Sequence, residues 1–508
     1  MGAVRRAVTE FELKFQIDPS HQAAVEAAVA RGRSYRTRLR ARYFDTADGA
    51  LAAHRIVLRL RKEGGTWVQT AKAPTDGPLQ RHEHNFELPP MGAREVPLPR
   101  IDRHDGTPVG DLIVKVLRQA GHDPAALELV PLYGTDVWRT TREMRTGDAL
   151  VELAFDRGEV RSGDRTHALC ELEIELKHGS PQSMLELAQR WRNRYGLWLD
   201  TVSKSARGER LANGIQHGPP TKAVQPSLKG DPSGPEVFRA VLNTCLAQIL
   251  PNASEVAAGS QDAEHVHQLR VGIRRFRSAL REMSDFAPQI DPAWELALVD
   301  AFRALGLRRD REHLRQSVQP QIEAAGGPPV AWQHAADVPE PADVVRSADF
   351  QTVLMDLVTA SLPTEATEAT DDASEEAPPA RKLLRKRLAK LHRQVVRDGR
   401  RFEALESTAQ HRVRKRLKRL RYLGEFVAPL FGRREAKRYL KELEPAQDAL
   451  GKHNDDAVAI AAYREHAAHD GRAWFAVGWL SARQPDDAVE CRKALDKIAE
   501  ARPFWKRP

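Results

Sequence analysis

The chain has 508 residues with 79 Lys and Arg against 70 Asp and Glu, a net charge of +9, and 41% hydrophobic residues. That length leaves room for roughly two to four domains with cores of their own, and the positive balance favours an acidic partner such as nucleic acid, polyphosphate or an anionic membrane surface. Three scattered cysteines, Cys170, Cys245 and Cys491, exclude a disulfide framework and a CxxC zinc site. No stretch approaches the ~20 apolar residues of a membrane span, and the opening MGAVRRAVTEFELKF has no signal-peptide core, so a cytoplasmic protein with no membrane association is expected.

Residues 1–215 read as strands with a few helices. Period-two alternation runs through Glu10-Phe11-Glu12-Leu13-Lys14-Phe15, Val57-Leu58-Arg59-Leu60-Arg61 and Glu171-Leu172-Glu173-Ile174-Glu175-Leu176-Lys177. Turn signals such as Glu63-Gly64-Gly65 and Asp105-Gly106 separate the runs. Helical patterns near 20–31, 109–120 and 181–195 make this half α+β with a mostly antiparallel sheet. A Pro/Gly/Ser/Lys-rich linker is placed at 216–235. The remainder, 236–508, is helical in period, broken by loops at Gly326 to Pro341 and at the acidic tract Pro363 to Pro379, which reads as disordered. Within it, stretches at about 236–325 and 381–500 duplicate one another.

In a strand, successive side chains take opposite faces, so each alternating run carries one apolar side and one charged side. A single such strand would simply turn its charges to water. Here the stripes number five: Glu10, Glu12 and Lys14; Arg59 and Arg61; Arg81, Glu83 and Glu87; Glu152 and Asp156; and Glu171, Glu173, Glu175 and Lys177. If the sheet closes on itself with its apolar side packed against helices, the charged sides line the interior. Crowded carboxylates repel unless a divalent cation lies between them, and hard oxygen ligands favour Mg²⁺ or Mn²⁺. Arginines and lysines in the same cavity would neutralise phosphate oxygens.

The run Glu10-Phe11-Glu12-Leu13-Lys14 resembles the ExExK signature of CYTH domains, the triphosphate tunnel metalloenzymes. Arg59-Leu60-Arg61, Thr70-Ala71-Lys72, Arg81-His82-Glu83, Asp156-Arg157-Gly158-Glu159, the late glutamates and Ser203-Lys204 follow in that family's order. The resemblance covers residues 5–211 and implies an eight-stranded antiparallel tunnel with flanking helices that binds a triphosphate with Mg²⁺ or Mn²⁺. It assigns metal binding to Glu10 and Glu12 with two of Glu171, Glu173 and Glu175. It assigns phosphate binding to Lys14, Arg59, Arg61, Lys72, Arg139, Lys177 and Lys204, with Arg142 as the alternative to Arg139. Glu10, Glu12 and Lys204 stand as catalytic candidates, and a tunnel glutamate or Lys204 as a general base.

In the helical half, five charged residues recur in one order: His267, Arg270, Arg274, Arg275, Arg277 and then His411, Arg414, Lys418, Arg419, Arg421. Each set is followed by a matched cassette, Leu305-Gly306 with Arg309-Asp310 and Leu450-Gly451 with Asn454-Asp455. At 100° per residue His267, Arg270, Arg274, Arg277 and Arg281 crowd one side of a helix, opposite Leu269, Ile273, Phe276 and Leu280. Stacking like charges at i,i+4 costs ~0.2–0.5 kcal/mol per pair, which a bound polyanion would offset. Residues 381–421 hold seventeen Lys or Arg against three acids, adding Arg385 and Lys415 to that surface.

These repeats are similar to the CHAD domain, a helical module found beside CYTH domains. The resemblance implies a separate all-α domain of two pseudo-symmetric helical bundles that binds long-chain polyphosphate, with polyphosphate granules as a place of association. The combined expectation is a metal-dependent hydrolase of inorganic triphosphate. A thiamine or nucleoside triphosphatase and a non-catalytic, granule-binding adaptor are the alternatives. Aromatic residues, 6% of the chain, do not interleave with the arginine runs, which argues against nucleic acid.

Overall fold

A computed structural model of the protein describes residues 8–74, 80–92, 95–287, 291–332, 338–362 and 380–506. The side chains of residues 8–10, 80 and 81 lie outside the described residues, and so does the acidic tract Pro363 to Pro379. Nine strands come first: β1 Val8–Gln16, β2 Tyr35–Asp45, β3 Val57–Glu63, β4 Thr66–Pro74, β5 Gln80–Glu87, β6 Val130–Thr146, β7 Ala149–Ser162, β8 Arg165–His178 and β9 Trp198–Leu199. Among them lie helices α1 Gln22–Val29, α2 Ala50–Ala53, α3 Pro108–Gln119 and α4 Pro181–Tyr195, with α5 Lys204–Ala212 after β9. The following helices are α6 Gly234–Ala257, α7 Ala263–Met283, α8 Pro292–His313, α9 Gln319–Ala324, α10 Pro341–Arg346 and α11 Ala348–Ala360. Helices α12 Ala380–Gly399, α13 Ser407–Phe431, α14 Arg433–Glu442, α15 Glu444–His466 and α16 Ala473–Glu500 complete the chain.

The chain forms two compact units, one of residues 1–221, 250–265 and 345–359, the other of 222–249, 266–344 and 360–508. In the first, the antiparallel strands run in the order β5-β4-β3-β2-β6-β7-β8-β1-β9. The second half of β1 pairs with β8 (Glu12 opposite Glu175, Lys14 opposite Glu173), and its first half pairs with β5 (Val8 opposite Glu83, Phe11 opposite Gln80). Strands β1 to β8 therefore form a ring, with β9 a spur beside β1.

Alternation decides which residues face outward. Leu13, Phe15, Val151, Leu153, Phe155, Leu172 and Ile174 are buried on the outer face, where α1 and α4 bring Val25, Val29, Met184, Leu185 and Ala188. On the other side of the ring Leu58, Ala71 and Ala73 pack under Val109, Ile113, Val116 and Leu117 of α3. That helix starts where it does because Thr107 accepts a hydrogen bond from the Gly110 amide at 3.1 Å and Pro108 fills the first turn. Each fully buried aliphatic side chain contributes about 1.5–3 kcal/mol.

The two later stretches of this unit supply polar partners. Gln351 of α11 accepts from the Leu199 amide at 2.8 Å, Thr352 accepts from Arg192 at 2.7 Å, and Ser254 accepts from the Thr201 amide at 2.9 Å. The second unit consists of helices and connecting loops, with no strand among its described residues, its core including Leu384, Leu388, Val413, Leu417, Leu420, Leu450 and Tyr463.

Beside α3 lies a buried polar chain that the strand pattern does not announce. The Gln69 side-chain oxygen accepts from the Arg100 amide at 3.0 Å and from Arg103 at 2.6 Å, so its nitrogen donates to His104 Nε2 at 2.9 Å. His104 must then carry its proton on Nδ1, facing His84 Nδ1 at 2.8 Å. Burial first, then His84 and Arg103, push His104 down from 6.5 to about 3. Between those values the unfolded chain binds a proton that the folded chain refuses, so stability falls as pH falls, by up to ~1.4 kcal/mol per unit. His104→Gln should flatten the dependence of the urea midpoint between pH 6 and 4; a slope identical to the wild type would contradict the neutral assignment.

Candidate functional site

Strand register gathers the inward side chains into rungs. Gln16, Glu171, Asp156, Arg139 and Thr37 stand side by side across β1, β8, β7, β6 and β2, and Glu12, Glu175 and Glu152 make a second rung. Arg59 lies between Tyr43 of β2 and Thr70 of β4, and Lys72 lies opposite Glu83 of β5. The ring thus has a carboxylate-rich wall on β1, β7 and β8 and a cation-rich wall on β3 and β4. Both Arg59 and Arg61 feel Arg139 electrostatically across the lumen. Glu173 and Lys204, 14% and 13% exposed, are surrounded by protein yet still touch solvent, as the lining of an internal channel does.

Asp156, Glu171 and Glu173 offer one oxygen each within 4.8 Å of one another, the one such group of three among the described residues. Lys204 sits among them, 2.7 Å from Asp156, 2.6 Å from Glu173 and bonded to Glu171. Arg139 makes a bidentate pair with Asp156 at 2.6 and 2.7 Å and also meets Glu173. Burial works to raise the Glu173 carboxyl, but Lys204, Arg139 and Lys14 outweigh it and hold it well below its ordinary range. Burial likewise opposes charge on Lys204, and the three carboxylates overcome it, keeping the ammonium well above its ordinary value. In the second rung Lys177 lies 3.2 Å from Glu152 and 2.8 Å from Glu175. Burial raises Glu175 there, with Lys177 opposing and Glu152 and Glu12 adding to the rise.

Lys204 reaches this position because α5 starts at Ser203, whose hydroxyl accepts from the Ala206 amide at 3.1 Å. Gly208 lets the helix lie directly on Tyr133 of β6; any Cβ there would collide with the ring. Asp200 fixes the approach, accepting from the Val202 amide at 2.8 Å, from Gln16 at 2.8 Å and from Arg207 at 2.5 Å. Lys14 donates to the Val202 carbonyl and lies 3.7 Å from Asp200, so this lysine also braces the start of α5.

The other sequence candidates fall as follows. Lys72 pairs with Glu83 at 2.7 Å and Arg61 with Glu63. Arg59 Nε is buried without a hydrogen-bond partner, a donor without an acceptor. Arg142 turns the other way, to the Ala28 and Arg31 carbonyls at 3.0 and 3.2 Å behind α1. Glu12 sits opposite Glu175, while for Glu10 only the backbone pairing with Arg81 is described. The residues that the charged stripes did not single out are Asp156 as a member of the acidic group, Asp200 and Tyr43. Asp156 already stood in a stripe, directly opposite Glu171; Asp200 follows a two-residue strand too short to show a period.

In the second unit the two repeats bring their basic faces together. Lys418 is close to Arg274, Arg414 and Arg309, and Lys415 to Arg277, Arg281 and Arg303. The two copies match in detail: Arg270 lies 3.9 Å from Asp310, and Arg414 lies 3.9 Å from Asp455. Gly306 accounts for one cassette, since a Cβ there would stand 2.7 Å from Arg270 Nη2, whose guanidinium lies across Phe302 at 4.6 Å. Nitrogens of Arg270, Arg277 and Arg414 are buried without hydrogen-bond partners. His411 Nδ1 is 3.1 Å from Asn454, and burial, then Lys415, lowers its pKa. His267 stands on α7 where His411 stands on α13. Arg421 pairs with Glu425 at 2.7 Å, and Arg385 lies over Phe431 at 5.9 Å.

Arg275 and Arg419, equivalent in the repeat, leave this face. Arg275 is 2% exposed, donates to Gln248 at 3.2 Å and stacks on Phe426, while Arg419 donates to Glu282 at 3.0 Å. At Lys418 burial, then Arg274 and Arg414, push the pKa down to about 6.

The CYTH domain family matches residues 9–208 and the CHAD domain family residues 240–464. An uncharacterized protein of Mycobacterium tuberculosis (strain CDC 1551 / Oshkosh) is 27% identical over 535 residues, 96% of this chain and 95% of that protein. The inorganic triphosphatase of Haemophilus influenzae is 26% identical over 171 residues, 34% of this chain and 45% of that protein. The crystal structure of the CHAD domain from the plant Ricinus communis is 30% identical and covers 56% of this chain and 98% of its own, with a TM-score of 0.46. No helix among the described residues is long and apolar enough to cross a membrane.

Removing the Lys204 ammonium leaves three carboxylates facing one another. Lys204→Gln should lower stability by about 3–5 kcal/mol in metal-free buffer, measured by urea unfolding of the first unit, and added Mg²⁺ should recover much of the loss. Recovery equal to that produced by the same ionic strength of NaCl would show that the acidic group does not hold a cation.

Proposed function

The chain belongs to the proteins that join a CYTH domain to a CHAD domain, and on that premise we propose that it hydrolyses inorganic triphosphate, or a related triphosphate compound, with Mg²⁺ or Mn²⁺, while its second unit binds long-chain polyphosphate. The observation that carries the first part is the enclosed ring with a carboxylate wall facing a cationic wall. A linear triphosphate is itself such a bridge, since its oxygens accept both divalent cations and guanidinium donors.

The acidic group fits a hard cation: three carboxylates within 4.8 Å, all oxygen donors, Asp156 and Glu171 buried and Glu173 partly open to solvent. Asp156, Glu171 and Glu173 would hold one ion, and Glu12 and Glu175, with Glu10, supply carboxylates for another. A bound Mg²⁺ or Mn²⁺ supplies Lewis acidity toward phosphate oxygens. The chain's own residues do the rest. Arg59, Arg61 and Lys72 hold phosphate oxygens from the cationic wall, and Arg139, Lys14, Lys177 and Lys204 do so from the acidic side, placing the terminal phosphorus for in-line attack by water. The water's oxygen bonds to that phosphorus as the bridging P–O bond breaks, giving orthophosphate and pyrophosphate. Among its carboxylates Lys204 is an ammonium, so it donates hydrogen bonds; a lumen glutamate takes the water's proton.

A panel of inorganic triphosphate, thiamine triphosphate and nucleoside triphosphates, scored for phosphate release with each metal, tests the reading. Inorganic triphosphate should turn over fastest, and Arg59→Ala should cut kcat/KM by about 10²-fold or more. Turnover unchanged in that variant would refute the site. Binding of triphosphate with no phosphate release from any substrate would favour the adaptor reading instead.

For the second unit, the buried guanidinium nitrogens and the lowered Lys418 point to an anion. Free Lys418 is largely neutral at pH 8, and a polyanion beside it favours the ammonium, so binding takes up a proton and weakens as pH rises above about 6. Calorimetry of long-chain polyphosphate binding at pH 8, in two buffers of different ionisation heat, should show this uptake in the wild type and lose it in Lys418→Arg. Equal uptake by both would overturn the assignment.

A further inference from the structure

We propose that the outer face of β2, β6 and β7 binds single-stranded nucleic acid, independently of the lumen and of the basic helices. Along β2 the outward positions are Arg36, Arg38, Arg40 and Arg42, all exposed, while the positions between them turn inward. Outward neighbours on a strand stand about 6.6–6.8 Å apart, so the four guanidinium groups form an evenly spaced line. Register extends the line sideways: Arg38 is level with Trp138 and Arg157, Arg40 with Asp136 and Glu159, and Arg42 with Gly134 and Arg161. The face is bare because the outer cover stops. Val151, Leu153 and Phe155 of β7 are buried, and beyond them the outward residues become Arg157, Glu159 and Arg161.

Local acids match only part of this charge: Glu26 lies 3.5 Å from Arg157, and Glu159 pairs with Arg161. Asp136 is taken by Arg38 in a bidentate pair at 2.7 and 2.8 Å, and Arg36, Arg40 and Arg42 form no salt bridge among the described residues. A solvated strand face gains nothing from four like charges in a row, whereas a phosphate backbone laid along it would compensate them. Trp138 selects among polyanions. It is 44% exposed, with Arg36 5.1 Å and Arg38 5.9 Å from its ring centre. Inorganic polyphosphate has no ring to stack on an indole, and a nucleic-acid strand carries one at every phosphate. A sheet face that combines guanidinium groups with an aromatic platform fits unpaired bases.

The test uses the full chain and a labelled mixed-sequence 20-mer of single-stranded RNA or DNA in an anisotropy titration. The variant Arg36→Gln/Arg40→Gln should lower the slope of log K against log salt by about 1.4, at ~0.7 per lost contact, and Trp138→Ala should weaken binding about tenfold or more, with Trp138→Phe restoring much of it. Polyphosphate binding should be unchanged in all three, and the pair Arg118→Gln/Arg145→Gln, exposed elsewhere on the unit, should leave the oligonucleotide affinity intact. The proposal is overturned if that control pair loses as much as the ladder variant, or if Arg270→Gln/Arg414→Gln abolishes oligonucleotide binding while the ladder variants retain it. It is also overturned if the ladder variants lose binding to phosphatidylserine vesicles but keep the oligonucleotide.

Discussion

A closed ring of strands gives each inward side chain little access to bulk water, and that constraint governs the first unit. Charges placed on the inner face of β1, β3, β4, β5, β6, β7 and β8 must be neutralised by one another or by something that enters. Many of them pair with one another: Lys204 fills the space between Asp156, Glu171 and Glu173, Arg139 grips two of the same carboxylates, and Lys177 spans Glu152 and Glu175. Such an interior is costly to build, since burial alone disfavours every charge in it. The cost is consistent with an interior shaped for a highly charged guest, whose arrival exchanges internal pairs for pairs with cation and phosphate.

The helical unit meets the same problem in another way. Two copies of one amphipathic helix set their basic faces close together, and instead of pairing each cation with an acid the fold leaves guanidinium nitrogens without acceptors and a lysine close to losing its proton. Asp310 and Asp455 stand at the edge of ion-pair distance from their arginines, and Glu295 and Glu425 pair with Arg277 and Arg421. Conformational specificity comes from elsewhere, from the Leu269, Ile273 and Phe276 side of α7 and the Val413, Leu417 and Leu420 side of α13, which are buried.

Much of this was legible in the chain because period two and period 3.6 are written in residue types. The inner stripes, the repeat and its basic faces follow from counting. What did not follow depends on contacts between distant segments. Whether Arg139 or Arg142 turns inward is decided by which register β6 takes against β7, and β6 alternates weakly. Arg275 and Arg419 look like members of the basic face because the chain shows only their charge, while a core partner such as Phe426 is needed to draw Arg275 away. Asp200 braces α5 from a loop without any period. Trp138 stands a hundred positions from Arg38, so an aromatic among arginines is invisible until β2 and β6 lie side by side. The recruitment of 250–265 and 345–359 into the unit of strands involves contacts between distant segments, such as the Leu199 amide with Gln351 and Arg346 over Trp198, that no pattern announces.

The most direct measurement is a crystal structure of the protein with Mn²⁺ and a non-hydrolysable triphosphate analogue, read by anomalous scattering. Manganese is expected on the carboxylates of β1, β7 and β8, analogue oxygens on Arg59 and Arg139, and the Lys204 ammonium moved from the acidic group to a phosphate. Manganese and analogue found only outside the ring, with Lys204 still bonded to Asp156, Glu171 and Glu173, would contradict this placement.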